Sequence, residues 1–431
     1  MDNCRRDFRS LKLYKKSLSV NKKIDYTVLY FFSVFIILCF VKANTEDVIK
    51  NIYVYHFNLN IIPVIIGICV FFSVVILFRR RPYLDRITVG LFYSALLGII
   101  PIVYAENINH YWGNYLPLLI SLISYTICTQ SEVDFPEEIY KIICLVCVII
   151  SIQVIATELN YFSNLSISNF NNVSVKAFMS IPIGSSNLIA AYLLPMVGFI
   201  NSFKRNKLTF IVTVLSIYAL ILCRSKNALS LAILMVCFLI IKKVYMFILK
   251  DYSVNRNKKL IILSLISLMF GVALIFVLNL LGKIISDWEF SLYFSPYSNY
   301  IMNYLDTISS GRIVVYQIEL MRFTDHIFLG NGYGYNLDYL RSHNWIIEIL
   351  VQKGIIGLAI YIFCLYNIFK NALQYYKDSF SRASINLLLI IYVQGLFEIT
   401  IFTIGMDFLI WSISGFLIAR SSFLRKQTIE Y

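Results

Sequence analysis

Long apolar runs, broken at intervals by short polar clusters, dominate the chain. Crossing the hydrocarbon core of a bilayer takes about 20 apolar residues in a helix rising 1.5 Å per residue, with every backbone group bonded internally. Twelve segments meet that length, near residues 24–41, 60–78, 87–105, 112–129, 139–157, 181–200, 207–223, 227–249, 260–281, 345–369, 384–403 and 405–420. The pattern therefore predicts an all-α polytopic membrane protein, a single domain of about twelve transmembrane helices. Two connections exceed a simple turn, residues 158–180 and 282–344. The second contains GRIVVYQIELMRF from Gly311, where Arg312, Glu319 and Arg322 fall on one stripe at about 100° per residue. Ile313, Val314, Leu320 and Met321 lie opposite, and this apolar side is expected on the membrane surface or against the bundle, which makes the segment an interfacial amphipathic helix.

Composition agrees with the pattern. A mean hydropathy of +0.72, with 59% hydrophobic and 14% charged residues, excludes a water-facing surface over most of the chain. The formal charge of +14 does not indicate nucleic acid, because the basic residues form short clusters between apolar runs. With the N-terminus inside, 28 of the 38 Lys and Arg fall in cytoplasmic segments. Both tails, residues 1–23 and 421–431, are then cytoplasmic and both long loops extracytoplasmic. The nine cysteines lie in the N-terminal tail or in apolar segments and make no disulfide framework. Cys144 and Cys147 form a CxxC inside an apolar run with no second pair, which reads as packing and not as a metal site.

Candidate chemistry concentrates on the outer side. Arg224 and Lys226 lie between the seventh and eighth segments, where the topology predicts few cations, and such charges are held at membrane depth mainly by an acid or a bound anion. Glu398 and Asp407 are acids in or beside the last two segments, functional candidates or partners for an outer cation. Within HIFLGNGYGYNLDYLRSHNW, Gly330, Gly332 and Gly334 permit close approach of the backbone to another group. Asn344 is placed to cap the following helix, with Glu348 in its first turn. Gly354 and Gly357 suit close helix approach.

The order of these elements resembles the superfamily of O-antigen polymerases and O-antigen ligases. In that family a long outer loop begins with an Arg-bearing amphipathic helix, passes a GxGxG-like turn and ends in His-Asn before an apolar helix with Glu and G-x-x-G. Here these are Arg312, the run Asp325–Gly334, His343 with Asn344, Glu348, and Gly354 with Gly357. GSSNLIAAYLLPM, with Asn187, resembles the family's Gly/Asn-bearing helix, and RSKNALSLAI its Ser-Arg-x-x-Leu segment. Lys226 stands where Arg is expected, so the phosphate ligand of that segment is Arg224 or Lys226, and Ile327 stands where Pro is common.

The resemblance implies a multi-pass protein of the bacterial inner membrane that polymerises undecaprenyl-diphosphate-linked oligosaccharides into surface polysaccharide. An acceptor hydroxyl attacks the anomeric carbon and the lipid diphosphate departs. Arg312 would stabilise the leaving group, with His343 or Glu348 as base and Arg224, Lys226, Asn187, Arg322, Arg341 and Asn344 contacting diphosphate or glycan. No metal or cofactor is expected; membrane lipid and a chain-length regulator are expected partners. A ligase passing finished glycan to lipid A core needs the same diphosphate groove. A lipid-linked sugar flippase, the rival from another class, predicts short loops and an ionisable pathway through the bundle.

Overall fold

A computed structural model describes residues 25–41, 61–79, 84–104, 108–132, 135–164, 179–225, 227–235, 312–332, 342–398 and 401–429. They form α1 (Tyr26–Phe40), α2 (Ile61–Arg79), α3 (Arg86–Leu97) with a 3₁₀ turn (Ile100–Tyr104), α4 (Ile108–Cys128) and α5 (Phe135–Asn164). A two-strand hairpin, β1 (Ser180–Ile181) and β2 (Gly184–Ser185), leads into α6 (Ser186–Phe203) and α7 (Lys207–Leu222). After a helical stretch at 227–235 come α8 (Arg312–Asp325), α9 (Trp345–Gln374), α10 (Ser379–Gln394) and α11 (Ile404–Ile429). Five of the described helical spans are long and apolar enough to cross a membrane. Outward-facing Phe71, Phe78, Phe210 and Ile211 give the bundle the apolar exterior that hydrocarbon requires.

Five of the described helices start at a polar residue before the apolar run. Asp25, Asp85, Asn206, Asn344 and Asp378 each accept from a backbone N–H in the first turn of the helix they precede, at 2.7 to 3.0 Å for the shortest bond of each. The core is aromatic where α1, α4 and α11 meet, with Phe31 stacked on Phe408 and Tyr125 edge-on to Trp411. Cys144 and Cys147 are buried in α5 as free thiols.

Two boundaries differ from the hydropathy pattern. Helix α5 runs on to Asn164, taking in the start of the expected loop 158–180, because Glu158 is buried against a cation rather than facing water. Helix α10 stops at Gln394, and Gly395–Glu398 turn away from the axis. The ninth expected segment, 260–281, and most of the loop 282–344 lie outside the described residues.

Helix α9 is broken. Gly354 has φ 64° and ψ −170°, so the helix stops and restarts there. The groups freed at the break are satisfied by the glycine-rich turn: Asn331 and Gly332 donate their N–H to the carbonyls of Val351 and Gln352, while Ile355 and Ile356 donate to those of Ile327 and Phe328. Contact is so close that a Cβ on Gly354 would sit 2.2 Å from the Phe328 carbonyl oxygen, and one on Gly330 would sit 2.4 Å from the Lys353 nitrogen. The close approach expected of the turn is thus to the broken helix. Gly357 also serves a different neighbour from the helix–helix contact expected of it, making room for the stem of Lys353.

Helix α8 runs back along the first part of α9. Arg312 at its start and His343 just before α9 share Glu398, Tyr316 one turn on bonds Asn344, and residues 327–332 meet α9 at 351–356. That is nine residues below the N-terminus of α9, about 14 Å along its axis. The polar stripe faces inward, with Glu319 fully buried, while Leu320 and Met321 are exposed. The helix therefore packs on the bundle by its polar stripe, and Leu320 and Met321 of its apolar side do not pack there as one of the two expected placements had it.

Candidate functional site

Four stretches distant in sequence meet around Glu398, in the connection between α10 and α11. Arg312, the first residue of α8, places Nη2 3.0 Å from Glu398 Oε2. His343 places Nδ1 3.3 Å from Oε1, in an orientation too oblique for an aligned hydrogen bond, so the contact is chiefly electrostatic. Asn187, in the first turn of α6, hydrogen-bonds the same carboxylate. Asn227 completes the ring: with its amide oxygen toward Arg312 it accepts from Nη2 at 3.1 Å and Nη1 at 3.3 Å. The opposite amide orientation gives only 3.4 Å contacts to the Phe397 carbonyl and to Glu398, and sets amide hydrogens against the guanidinium.

Local sequence explains how these side chains arrive. The β1–β2 hairpin turns at Pro182 and Ile183 into Gly184, at φ 143°, and delivers Asn187 at the start of α6. Ser342, beside His343, donates to Glu348 Oε2 at 3.0 Å, and Gln352 donates to Oε1 at 2.5 Å. Glu348 therefore anchors the entry to α9 and its carboxylate is buried. Asn344 caps α9 and also bonds the hydroxyl of Tyr316, one turn along α8 from Arg312. Burial pushes the Tyr316 phenol up from its ordinary value, so it stays neutral beside the cluster.

Burial raises the pKa of the Glu398 carboxyl, but His343, Arg312 and Asn187 together outweigh it and hold the group below its ordinary range. It is an anion 9% exposed at the side chain, between two groups of opposite character. Arg312 is 19% exposed and His343 38%, so the cluster opens on the His343 side.

A second pair stands next along the chain. Arg224 grips buried Glu158 through both terminal nitrogens, Nη2 to Oε1 at 2.5 Å and Nη1 to Oε2 at 3.1 Å. Three residues on, Asn227 is in the first cluster. Arg224 and His343 have φ of 52° and 51°; with Phe402 they are the non-glycine residues of positive φ among those described. Such backbone costs on the order of 1 to 3 kcal/mol and persists where its surroundings over-determine it.

The remaining sequence candidates fall in different places. Arg322 pairs with Glu319 on its own helix at 3.3 Å, and its carbonyl accepts from Asn331, so it ties α8 to the glycine-rich turn. Lys226 and Arg341 lie outside the described residues. Among the described residues no group of three His, Cys, Asp or Glu side chains has metal-holding geometry. Sequence reasoning missed Glu158 and Asn227; the first was assigned to a loop, and the second is an unremarkable amide in RSKNALSLAI. Glu398 was noted only as an acid in need of a partner.

No protein-family model matches the chain, and no curated protein matches it significantly.

Proposed function

We propose that this chain joins lipid-diphosphate-linked oligosaccharide units into a polysaccharide at the outer face of a bacterial inner membrane. The observation that carries the proposal is the Arg312–Glu398–His343 cluster, which gathers an arginine, an imidazole and two amides from four separated stretches at one end of an apolar helical bundle. In the proposed topology about twelve helices cross the membrane, both termini are cytoplasmic, and this end of the bundle faces outward, as the distribution of Lys and Arg favours.

The chemistry asked of such a site is a single displacement. An acceptor hydroxyl attacks the anomeric carbon of the donor, the bond to the diphosphate oxygen breaks, and undecaprenyl diphosphate leaves with the electron pair. Arg312 neutralises charge building on the leaving group, in surroundings poor in water where such an interaction is strongest. His343 takes the hydroxyl proton on Nε2, and its Nδ1, 3.3 Å from Glu398, comes into line with the carboxylate that orients it when substrate is bound. Of the two candidate bases this favours His343, because both oxygens of Glu348 are engaged by Ser342 and Gln352. Arg224 contacts a diphosphate only by sharing its fork with Glu158 or releasing it.

The test is turnover by the purified chain in lipid, supplied with undecaprenyl-diphosphate-linked repeat units alone. A ladder of glycans, each one unit longer than the last, is expected. Absence of any ladder, with single transfer to an added lipid A core acceptor instead, would replace polymerisation by ligation; absence of both would end the proposal.

A further inference from the structure

Below the cluster, where the glycine-rich turn is laced to the break in α9, two further groups of opposite sign are buried. Lys353 is the last residue before the break and is 7% exposed; Asp407, in the first turn of α11, is 2% exposed. The two meet on Phe402. The Lys353 ammonium stands 5.5 Å over the Phe402 ring, and Asp407 Oδ1 accepts from the Phe402 N–H at 3.2 Å. Around them pack Tyr192, which bonds Thr403, and Tyr361 with Tyr392, whose hydroxyls are 3.1 Å apart.

We propose that Lys353 and Asp407 are positioning residues that set the register of Arg312 against Glu398. This deepens the function proposed above and rests on it. Each member of the pair holds one half of the cluster. The backbone at Lys353 is the seat of Gly330, and that turn fixes the far end of α8, whose first residue is Arg312. Asp407 caps the 401–403 turn, which follows Glu398 and contains Phe402 at φ 73°. Left-handed backbone at a phenylalanine is held only by an over-determined surrounding, and here that is a carboxylate on its N–H and a cation on its ring. Stability alone does not account for burying both groups, since apolar side chains of similar volume often replace buried charged groups without loss. A fixed register between two segments meeting at a broken helix does account for it.

The experiment uses the full chain in lipid and the double variant Lys353→Met with Asp407→Asn, which removes both charges and leaves an amide oxygen to accept from Phe402. The expected result is thermal stability near wild type, donor KM within about twofold, and kcat lowered about tenfold or more, the signature of lost transition-state alignment. Wild-type kcat in a folded double variant would overturn the proposal. Gly357→Ala is the independent second variant. Its Cβ would fall 2.1 Å from Lys353 Cβ and so displace the lysine without removing a charge. The same fall in kcat at unchanged KM is expected, and unchanged kcat would overturn the proposal even if the double variant did not fold. Wild-type turnover tests the proposed function separately: if wild type fails to elongate, that reading falls, whereas an active wild type with equally active variants removes only the positioning role.

Discussion

Replacing Arg312 by alanine tests the cluster most directly. In stability, removing one partner of a fully buried ion pair costs about 3 to 5 kcal/mol. Here Glu398 retains His343 and Asn187, and Arg312 is 19% exposed, so the expected loss is nearer 1 to 2 kcal/mol. In catalysis, losing a charge-assisted contact to the leaving diphosphate in a water-poor site should remove about 2 to 4 kcal/mol of transition-state stabilisation, or roughly 30- to 1,000-fold in kcat/KM. Arg312→Lys restores the charge without the planar fork and is expected to recover only a small fraction of activity. Pairing Arg312→Ala with Glu398→Gln removes the stranded carboxylate, so stability should return while turnover does not. The assay is elongation of lipid-linked repeat units at matched protein levels, with thermal unfolding in parallel. If Arg312→Ala keeps kcat/KM within about threefold of wild type, the arginine is a structural partner of Glu398 and has no part in the chemistry.

Gly354→Ala should disrupt the turn outright, by about 3 kcal/mol or more, because it combines left-handed backbone with a Cβ 2.2 Å from the Phe328 carbonyl oxygen; thermal unfolding of the purified variant checks it. Asp378→Asn should cost about 1 kcal/mol, since Asp378 caps α10 and accepts from Arg420 at 2.8 Å. Burial raises the pKa of that carboxyl, but the Arg420 and Ser381 contacts lower it more and leave it below its ordinary value. The penalty should therefore be constant above about pH 4 and disappear as pH falls through the lowered folded value, which unfolding across an acid pH series would read. Elongation should survive excess EDTA; full loss restored by Mg²⁺ or Mn²⁺ would count against charge stabilisation by side chains alone. A phosphatase fused after residue 310 should be active and one after residue 250 inactive, and the reverse would invert the topology.

The apolar, helical character of the chain was legible because hydrocarbon leaves the chain few alternatives, and Asn344 could be named as the cap of the helix it precedes. The site was legible in part. Arg312, His343 and Asn187 were singled out, and the structure brings all three to one carboxylate. That carboxylate could be recognised as needing a cation, but not matched to one: Arg312 lies 86 residues away, and nothing local selects it over the other outer cations. Glu158 was hidden for a different reason. A glutamate at the end of an apolar run ordinarily marks the helix end, and only the Arg224 fork allows α5 to carry it inside. The glycine-rich turn showed that some group approaches closely, whereas the identity of that group depended on a break in α9 that the apolar run around Gly354 does not reveal.

The pairing of both arginines with buried glutamates also bears on how such a site stands ready between reactions. An unpaired guanidinium at this depth would be costly, and a carboxylate supplies compensation that needs no substrate. The two pairs differ in what they leave free. Arg224 commits both terminal nitrogens to Glu158, whereas Arg312 gives Glu398 only Nη2 and meets Asn227, a neutral acceptor, with the rest of its outer edge. Exchanging Asn227 for a diphosphate oxygen strands no charge, so Arg312 can take up an anion while Glu398 keeps both its arginine contact and its place against His343. Release of Glu158 by Arg224 would instead leave a buried carboxylate exposed to an incoming anion of the same sign. Under the proposed function, Arg312 is on this ground the arginine suited to a diphosphate, and Arg224 the one suited to holding Asn227 in place beside it.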